Sequence, residues 1–355
     1  MNNLDKYIKK LEKVYASNMP FVVYKKPNEF KLKTYLSKTD DIINLTNFEE
    51  KGFVFVPFNK GNSILFPLDE CIIKEINFKE EEIIIEEIPK KTFAKIKNER
   101  NDKKNHINLI QKAIDFIKEG KADKIVVSRE EMVSVKEFHL FNSFKKMLQK
   151  YPNAFVYIWY HPKIGLWMGA TPEKLLSIKD NTFKTMALAG TQPYKNKVEV
   201  TWQPKEKKEQ QFVTDYILNS IKLFVKNVEF TIPFTIKAGN LLHIRTDINA
   251  KLFSKSSLSN LISVLHPTPA VCGLPKNTAS KFILENENYD RSYYSGYLGE
   301  LNVVNRSNLF VNLRCMQLKE DKIHIYIGGG ITKESDVIKE WEETKNKAMV
   351  IKSIL

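Results

Sequence analysis

The sequence predicts an α/β protein in which helices are layered against largely antiparallel sheets. Apolar runs with the spacing of strands outnumber those with helical spacing along the 355 residues. Several neighbouring strands are separated by turns too short for the crossover that parallel pairing requires. The helical segments are dispersed between the strands rather than grouped in one part of the chain. Together these observations predict mixed layers of sheet and helix.

The first part of the chain predicts a helix followed by short strands. The segment from Met1 to Lys13 has the charges and apolar spacing of an amphipathic helix, and it lacks the apolar stretch of a signal peptide. Two apolar runs, Gly52–Phe58 and Ser63–Phe66, flank a Lys60-Gly-Asn turn, which predicts a hairpin. The next predicted elements are a helix at 105–120, a strand at 124–132, a helix at 138–151 and a strand at 154–159.

In the rest of the chain, predicted strands continue to alternate with predicted helices. From Leu166 to Leu188 the pattern is that of strands joined by tight turns. Helical spacing then predicts helices at about 205–224, 257–265, 277–287 and 334–351. Strands are predicted near 230–236, 243–248, 294–304, 309–318 and 322–328.

The composition is that of an ordinary globular protein, with 43% hydrophobic and 28% charged residues. The three cysteines have neither the spacing of a metal site nor the even number of a disulfide set, which predicts a reduced, cytoplasmic protein. No window approaches the roughly 18 apolar residues that a membrane span needs, so we expect no membrane association.

The formal net charge of +14 raises nucleic acid as a possible partner. A basic nucleic-acid-binding protein would show clustered Lys and Arg with exposed aromatic residues. The lysines here are instead spread over the chain and interleaved with Glu, as in the segment 205–209. We therefore expect no nucleic-acid partner, and the same positive field would favour a small dianionic substrate.

The stretch Leu265-His-Pro-Thr-Pro-Ala-Val-Cys-Gly-Leu-Pro-Lys276 is too rich in Pro and Gly for a regular element and too apolar for an ordinary turn. Its three prolines fix φ, remove backbone donors and restrict the residues before them. A rigid apolar loop of this kind is typical of segments that shape a site.

Two residues are candidates for acid–base chemistry. Lys124 precedes the apolar run Ile-Val-Val, so it is either a surface charge at a strand start or a partly desolvated amine that acts as a base. Glu173 follows Pro172 between apolar segments. Such surroundings raise the pKa of a carboxyl group and allow it to donate a proton; the alternative is a turn residue paired with Lys174.

Three carboxylates are candidates for a metal site. Glu209 is placed on the core side of its helix, where an unpaired charge is costly. Glu340 and Glu343 lie at i and i+3, where like charges repel. A hard cation bound by Glu209 and Glu343, with Glu340 acting directly or through water, would resolve both features in the manner of a Mg²⁺ site. The alternative is that these acids belong to solvated Glu/Lys helix faces. This alternative explains Glu340 and Glu343 of the last helix well but explains the inward Glu209 poorly.

Other polar groups predict the binding of an anion. Arg314 lies in the predicted strand 309–318, on the face shared with Asn312 and Met316, where it would pair with a carboxylate of the protein or of a ligand. Glycines permit close approach of a ligand to backbone amides. We include as substrate-binding candidates Gly190, Thr191, His243 and Gly328, although lone histidines such as His243 more often serve structure.

The order of these motifs resembles the chorismate-utilising enzymes, which include isochorismate, salicylate, anthranilate and aminodeoxychorismate synthases. The resemblance runs from about Asn105 to the carboxyl terminus. It rests on Ala-Gly-Thr at 189–191, His-Pro-Thr-Pro-Ala-Val at 266–271, Arg-Ser-Tyr-Tyr-Ser-Gly at 291–296, Leu-Arg at 313–314, Gly-Gly-Gly-Ile at 328–331 and Glu-x-x-Glu-Thr-x-x-Lys at 340–347.

The resemblance implies one chorismate-binding domain over residues 1–355, with a variable part at 1–100 and the catalytic motifs at 101–355. Its fold would be two large, packed, mostly antiparallel sheets with helices outside and the site in a cleft between them. By residue matching, Glu173 is the general acid and Lys124 the base. The same matching makes Glu209 and Glu343 ligands of Mg²⁺ and places Arg314 with Gly328 at a substrate carboxylate. It also places Lys347 in the region of the metal and the carboxylate, as a substrate-binding residue.

Within the family, the residues favour conversion of chorismate to isochorismate. Lys124 matches a base that amine-adding members usually lack, and Ala189 stands where aminodeoxychorismate enzymes usually have a lysine. We therefore expect no glutamine amidotransferase subunit. A salicylate synthase would share every residue named, and menaquinone synthesis is favoured over siderophore synthesis. Three positions depart from the family pattern: Gln210, Cys272 and Glu300.

Overall fold

The computed structural model describes residues 2–86, 94–95, 99–135, 137–194, 197–239, 241–254 and 257–355. Parts of the predicted amino-terminal region, at 87–93 and 96–98, therefore lie outside the described residues. The helices of the described chain are α1 Asn3–Ala16, α2 Glu99–Lys118, α3 Leu140–Lys150, α4 Pro204–Ile221, α5 Ser257–Leu265, α6 Lys276–Asn286 and α7 Val337–Lys352. None of them is both long and apolar enough to cross a membrane.

The described strands form two sheets. They are β1 Phe21–Lys25, β2 Lys31–Ser37, β3 Gly52–Val56, β4 Ile64–Pro67, β5 Cys71–Asn77, β6 Ala94–Lys95, β7 Lys124–Ser134, β8 Phe155–His161, β9 Gly165–Thr171, β10 Lys174–Lys179, β11 Thr182–Pro193, β12 Val225–Phe230, β13 Phe234–Ala238, β14 Leu241–Leu252, β15 Gly273–Leu274, β16 Tyr297–Val303, β17 Arg306–Val311, β18 Cys315–Lys319 and β19 Lys322–Ile331.

Every strand pairing among the described residues is antiparallel, as predicted. The first sheet has the order β15-β7-β19-β18-β9-β8-β1-β2-β5, with β6 paired to β7. The second has the order β12-β14-β11-β10-β17-β16-β3-β4, with β13 paired to β14. The predicted hairpin is present as β3 and β4, in which Phe53 faces Phe66.

The amino-terminal strands extend both sheets. β1 pairs with β8 of the first sheet, and β3 pairs with β16 of the second. Aromatic side chains from both sheets meet in one buried cluster, where Phe155 stacks on Phe310 with ring centroids 4.4 Å apart. The two sheets therefore pack face to face, as the resemblance implied.

The helices cover the outer faces. α1, α3 and α7 contribute to the apolar cluster behind the first sheet, and α4 and α5 contribute to the cluster behind the second. α2 and α6 pack against the end of the first sheet that carries β7. This arrangement leaves the space between the sheets at β7, β11 and β19 for a site.

The predicted strand 309–318 is wrong as a single element. It is divided at Asn312–Arg314 because β17 belongs to the second sheet and β18 to the first. The buried side chain of Asn312 donates to the carbonyl of Tyr293 and accepts from the hydroxyl of Tyr157, which stabilises the crossing. Arg314 has φ 50°, so it lies in a left-handed turn and not at the mid-strand position that we predicted.

A second correction concerns the predicted strand 230–236. It is interrupted after Phe230 and resumes at Phe234, because Pro233 cannot donate to a strand ladder. The predicted strand 294–304 likewise begins only at Tyr297, since the preceding residues form a turn. Helix α2 begins at Glu99, before the first apolar residue on which the prediction depended.

Candidate active site

A cavity opens between the two sheets where β7, β9, β11 and β19 approach α4 and α7. Eight of the residues predicted from the sequence line it together: Glu173, Gly190, Thr191, Glu209, His243, Arg314, Gly328 and Lys347. Lys124 lies directly behind this lining, in contact with Glu209. Glu340 and Glu343 lie on α7, where each of them contacts a lysine side chain.

Lys124 is fully buried and forms an ion pair with Glu209. Its Nζ atom lies 2.9 Å from Oε1 of Glu209, and its side chain has 0% exposure. The pair fits only because residue 330 is glycine. A Cβ atom there would lie 2.3 Å from Oε1 of Glu209 and 3.0 Å from Cε of Lys124. The surface-charge interpretation of Lys124 is thus wrong, and Glu209 is an inward carboxylate with a partner.

The proline loop lies against the beginning of β7. Gly273 pairs with Ile125, and a Cβ atom on Gly273 would lie 2.2 Å from the carbonyl oxygen of Lys124. Gly273 also has φ 136°, which side chains other than glycine rarely adopt. Ala270 and Val271 of this loop line the cavity. The loop therefore shapes the site, as predicted.

Glu173 is buried at the turn that follows β9. Its backbone carbonyl accepts from the amide of Val311, which fixes the turn. Burial raises the pKa of Glu173 to about 7, although the positive charges of Lys124 and Arg314 act in the opposite direction. A carboxyl group with this pKa is partly protonated near neutral pH and can serve as a proton donor.

Burial would also raise the pKa of Glu209, but here the surrounding cations prevail. Lys124, with Lys205 and Lys347, lowers the pKa of this carboxyl group below its ordinary value. Glu173 and Glu209 line the same cavity, yet one pKa is raised and the other lowered. Divergent environments of this kind are how a single site holds one acid and one permanent anion.

His243 is a fixed neutral imidazole that holds Arg314. Its Nδ1 atom is 2.9 Å from the carbonyl oxygen of Gly190, and its Nε2 atom is 2.7 Å from a guanidinium nitrogen of Arg314. A carbonyl only accepts and a guanidinium only donates, so Nδ1 carries the proton and Nε2 accepts. Burial first, and then the charge of Arg314, lower the pKa of His243 well below its ordinary value.

Lys347 connects α7 to β19. Its Nζ atom donates to the carbonyl of Gly328 at 2.9 Å and lies 2.7 Å from Oε1 of Glu343. Lys347 and Arg314 are two cationic side chains that line the same cavity, which suits a substrate with two carboxylates.

The three candidate metal ligands each contact a lysine: Glu209 contacts Lys124, Glu340 contacts Lys205 and Glu343 contacts Lys347. Within the part of the chain that the structure describes, no three Asp, Glu, His or Cys side chains are already spaced as metal ligands.

The donor chemistry nevertheless fits a hard cation. Oε2 of Glu340 is buried without a hydrogen-bond partner. Burial and the neighbouring charge of Glu343 raise the pKa of Glu340. An unsatisfied carboxylate oxygen beside a second carboxylate is the kind of arrangement that a divalent cation stabilises.

Some residues of the site were missed at the level of sequence. Tyr294 lines the cavity, and its hydroxyl would lie 2.7 Å from a Cβ atom on Gly328. Tyr294 belongs to the motif at 291–296, but only the folded structure shows that it lines the cavity. Lys205 contacts Glu340 although it stood among dispersed lysines in the sequence. Only the packing of α4 beside α7 distinguishes it from its neighbours.

Comparison with known proteins is consistent with this geometry. The sequence profile of the chorismate binding enzymes matches residues 68–355. The chain is 26% identical over 258 residues to isochorismate synthase MenF of Haemophilus influenzae, across 70% of this chain and 60% of that protein. It is 28% identical over 268 residues to MenF of Escherichia coli, across 72% of this chain and 61% of that protein.

The matched segment thus spans about three fifths of the length of these relatives. A solved structure of MenF, the menaquinone-specific isochorismate synthase from Escherichia coli, superposes with a TM-score of 0.79 at 20% identity, covering 95% of this chain and 88% of that chain. This likeness shows a shared fold. Since the family profile covers most of the chain, the protein belongs to the chorismate binding enzyme family.

Proposed function

We propose that the protein is an isochorismate synthase, which adds water at C2 of chorismate and removes the hydroxyl group at C4. The observation that carries this proposal is the placement of Lys124 and Glu173 at one cavity in different environments. The reaction needs a group that takes a proton and a group that gives one. The isochorismate synthases among the relatives support the same choice.

In this reaction the amine of Lys124, which acts in its neutral form, takes a proton from the water that attacks C2. Glu173 gives its proton to the C4 hydroxyl group, which leaves as water while the ring double bonds shift. One water is added and one is released, so chorismate and isochorismate are isomers. The small side chain of Ala189, which lines the cavity, leaves room for the attacking water.

The two substrate carboxylates are assigned to opposite parts of the cavity. Arg314, held by His243, binds one of them together with the backbone near Gly190 and Thr191. Glu209 and Glu343, with Glu340, would hold Mg²⁺, and Lys347 lies beside them. When bound there, Mg²⁺ would neutralise these acids and hold the ring carboxylate of chorismate.

We further propose that the product serves menaquinone synthesis, on the ground of the MenF relatives, and that no amidotransferase subunit takes part. Both proposals go beyond the family assignment. Growth of a menaquinone-requiring bacterial strain that expresses this chain would test the first. Activity of the purified chain alone would test the second.

Incubation with chorismate and Mg²⁺, followed by chromatographic and NMR analysis of the products, tests the central proposal. Isochorismate as the accumulating product supports it. Salicylate with an equal amount of pyruvate would instead identify a salicylate synthase, which the same residues could serve. Unchanged chorismate at every Mg²⁺ concentration would contradict both assignments.

A further inference from the structure

A buried ion pair lies outside the proposed catalytic groups. Glu287, directly after α6, and Arg291 each have a side chain with 2% exposure, and their closest atoms are 2.6 Å apart. Burying two charges is costly unless additional hydrogen bonds satisfy both groups. Here both charged groups form several further hydrogen bonds, and the segments that they contact indicate the role of the pair.

Arg291 holds two segments that border the cavity. One guanidinium nitrogen donates to the carbonyl of Val126 in β7 at 2.7 Å, and another donates to the carbonyl of Val271 in the proline loop at 2.9 Å. The guanidinium also lies over the ring of Phe58, 4.5 Å from its centroid. Val126 and Val271 both line the cavity, so one side chain fixes two of its walls.

Glu287 completes the connection to β7. Its Oε1 atom accepts from both the amide and the hydroxyl of Ser128, at 2.7 and 2.9 Å. The hydroxyl of Ser128 also lies 2.6 Å from that of Tyr289. β7 is therefore held at 126 by the cation and at 128 by the anion of one pair.

These contacts bear on Lys124 through the geometry of the strand. Lys124 and Val126 are alternate residues of β7 and so face the same side of the sheet. The amide of Val126 donates to the carbonyl of Cys272, which couples the strand to the proline loop a second time. A shift of Val126 would therefore move Lys124 and the loop together.

We propose that Glu287 and Arg291 are positioning residues that fix the strand carrying Lys124 and the proline loop relative to each other. Neither residue is among those that line the cavity, so the pair acts through the backbone of β7 and of the loop. The role in turnover rests on the proposed function, whereas the role in holding the two segments does not.

The test compares Glu287→Gln with the matched control Glu285→Gln. Glu285 belongs to the same part of the chain and also pairs at i,i+4 spacing, with Lys281, but both of these side chains are exposed. In Glu287→Gln we expect the amides of Val126 and Cys272 to exchange with deuterium at least about tenfold faster. We expect kcat to fall by about 10- to 100-fold at a temperature far below the unfolding midpoint, with a KM for chorismate near the wild-type value. The control should change neither quantity.

A merely structural role predicts a lower unfolding temperature with unchanged kcat in the folded variant, and that result would overturn the proposal. Unchanged exchange at Val126 and Cys272 would overturn it as well. If wild-type protein forms no isochorismate, the proposed function fails, and the exchange comparison still decides whether the pair positions the two segments.

Arg291→Lys provides a second variant if Glu287→Gln does not fold. It keeps the positive charge near Glu287 but offers one nitrogen in place of the three that make these contacts. Faster exchange at Val126 with reduced kcat would support the proposal, and wild-type values of both would overturn it. Arg306→Lys, at an exposed residue of β17, is the matched control.

Discussion

The amine of Lys124 lies 2.9 Å from the carboxylate of Glu209, so the proposed base and a proposed metal ligand are in direct contact. Gly330 makes this contact possible because any side chain there would occupy the space of the carboxylate. Proton transfer and cation binding are therefore not independent properties of this site, and substitutions must be designed to separate them.

We predict that Lys124→Ala lowers isochorismate formation by about 10²- to 10⁴-fold, because the proposed mechanism gives the proton-accepting role to Lys124. The variant retains Glu209, so its thermal stabilisation by Mg²⁺ should persist. Steady-state kinetics and thermal unfolding with and without Mg²⁺ measure the two effects. Lys121→Ala, which removes an exposed lysine paired with Glu119, should remain fully active. Near-normal turnover of Lys124→Ala would remove Lys124 from the mechanism.

We predict that the titration of Glu173 contributes an alkaline decline, beginning at about pH 7, to kcat/KM. Burial raises the pKa of Glu173 to about 7, and only the protonated form can protonate the leaving hydroxyl group. Above this pKa the protonated fraction of Glu173 falls by about tenfold per pH unit. Glu173→Gln should lose about 10²- to 10⁴-fold of activity, and its residual rate should lack this alkaline decline. The same decline in the variant would assign it to another group.

We predict that Glu209→Gln and Glu343→Gln abolish Mg²⁺-dependent activity, because each removes a charged ligand. The wild-type protein should unfold at a higher temperature as Mg²⁺ is added, by ordinary binding linkage, and both variants should lose this shift. Glu342→Gln is the matched control, since Glu342 lies beside Glu343 on α7 but pairs with the exposed Lys345. Full activity of the wild-type protein in excess chelator would exclude the metal site.

We predict that ammonium at high concentration yields no aminated product. Ala189 lines the cavity beside Gly190, where its small side chain leaves space for water and offers no nucleophile. Oxygen from labelled water should instead enter at C2, and mass spectrometry of the product measures it. An aminodeoxy product, or an unlabelled C2 hydroxyl group, would contradict both this assignment and the role given to Lys124.

The sequence predicted the general architecture well because periodicity reports which face of an element is buried. It also predicted residues that meet in the cavity although they are distant along the chain, such as Glu173 and Arg314, because their motifs carried a polar group that the apolar pattern did not need. Periodicity failed at Arg314 itself, since an unbroken alternation of residues gave no sign that the chain changes sheets there.

The contacts that a side chain makes were harder to predict than whether it points into the protein. Glu209 was expected inside, yet its contact with Lys124 depends on the register that brings Gly330 opposite Val126. Lys205 could not be separated from the other lysines of α4 because its contact with Glu340 depends on where α4 meets α7. Tertiary pairing decides such contacts, and no local pattern encodes it.

The pairing of β7 with β19 has a consequence for how the protein is made. The two strands lie about 200 residues apart in sequence, and contacts this remote form late because the intervening loop must close first. While the ribosome is still adding the segment that becomes β19, Lys124 has no neighbour at Gly330 and the acids of α7 do not yet exist. A nascent chain that ends before β19 therefore lacks Gly330 and every α7 residue on which the proposed activity depends.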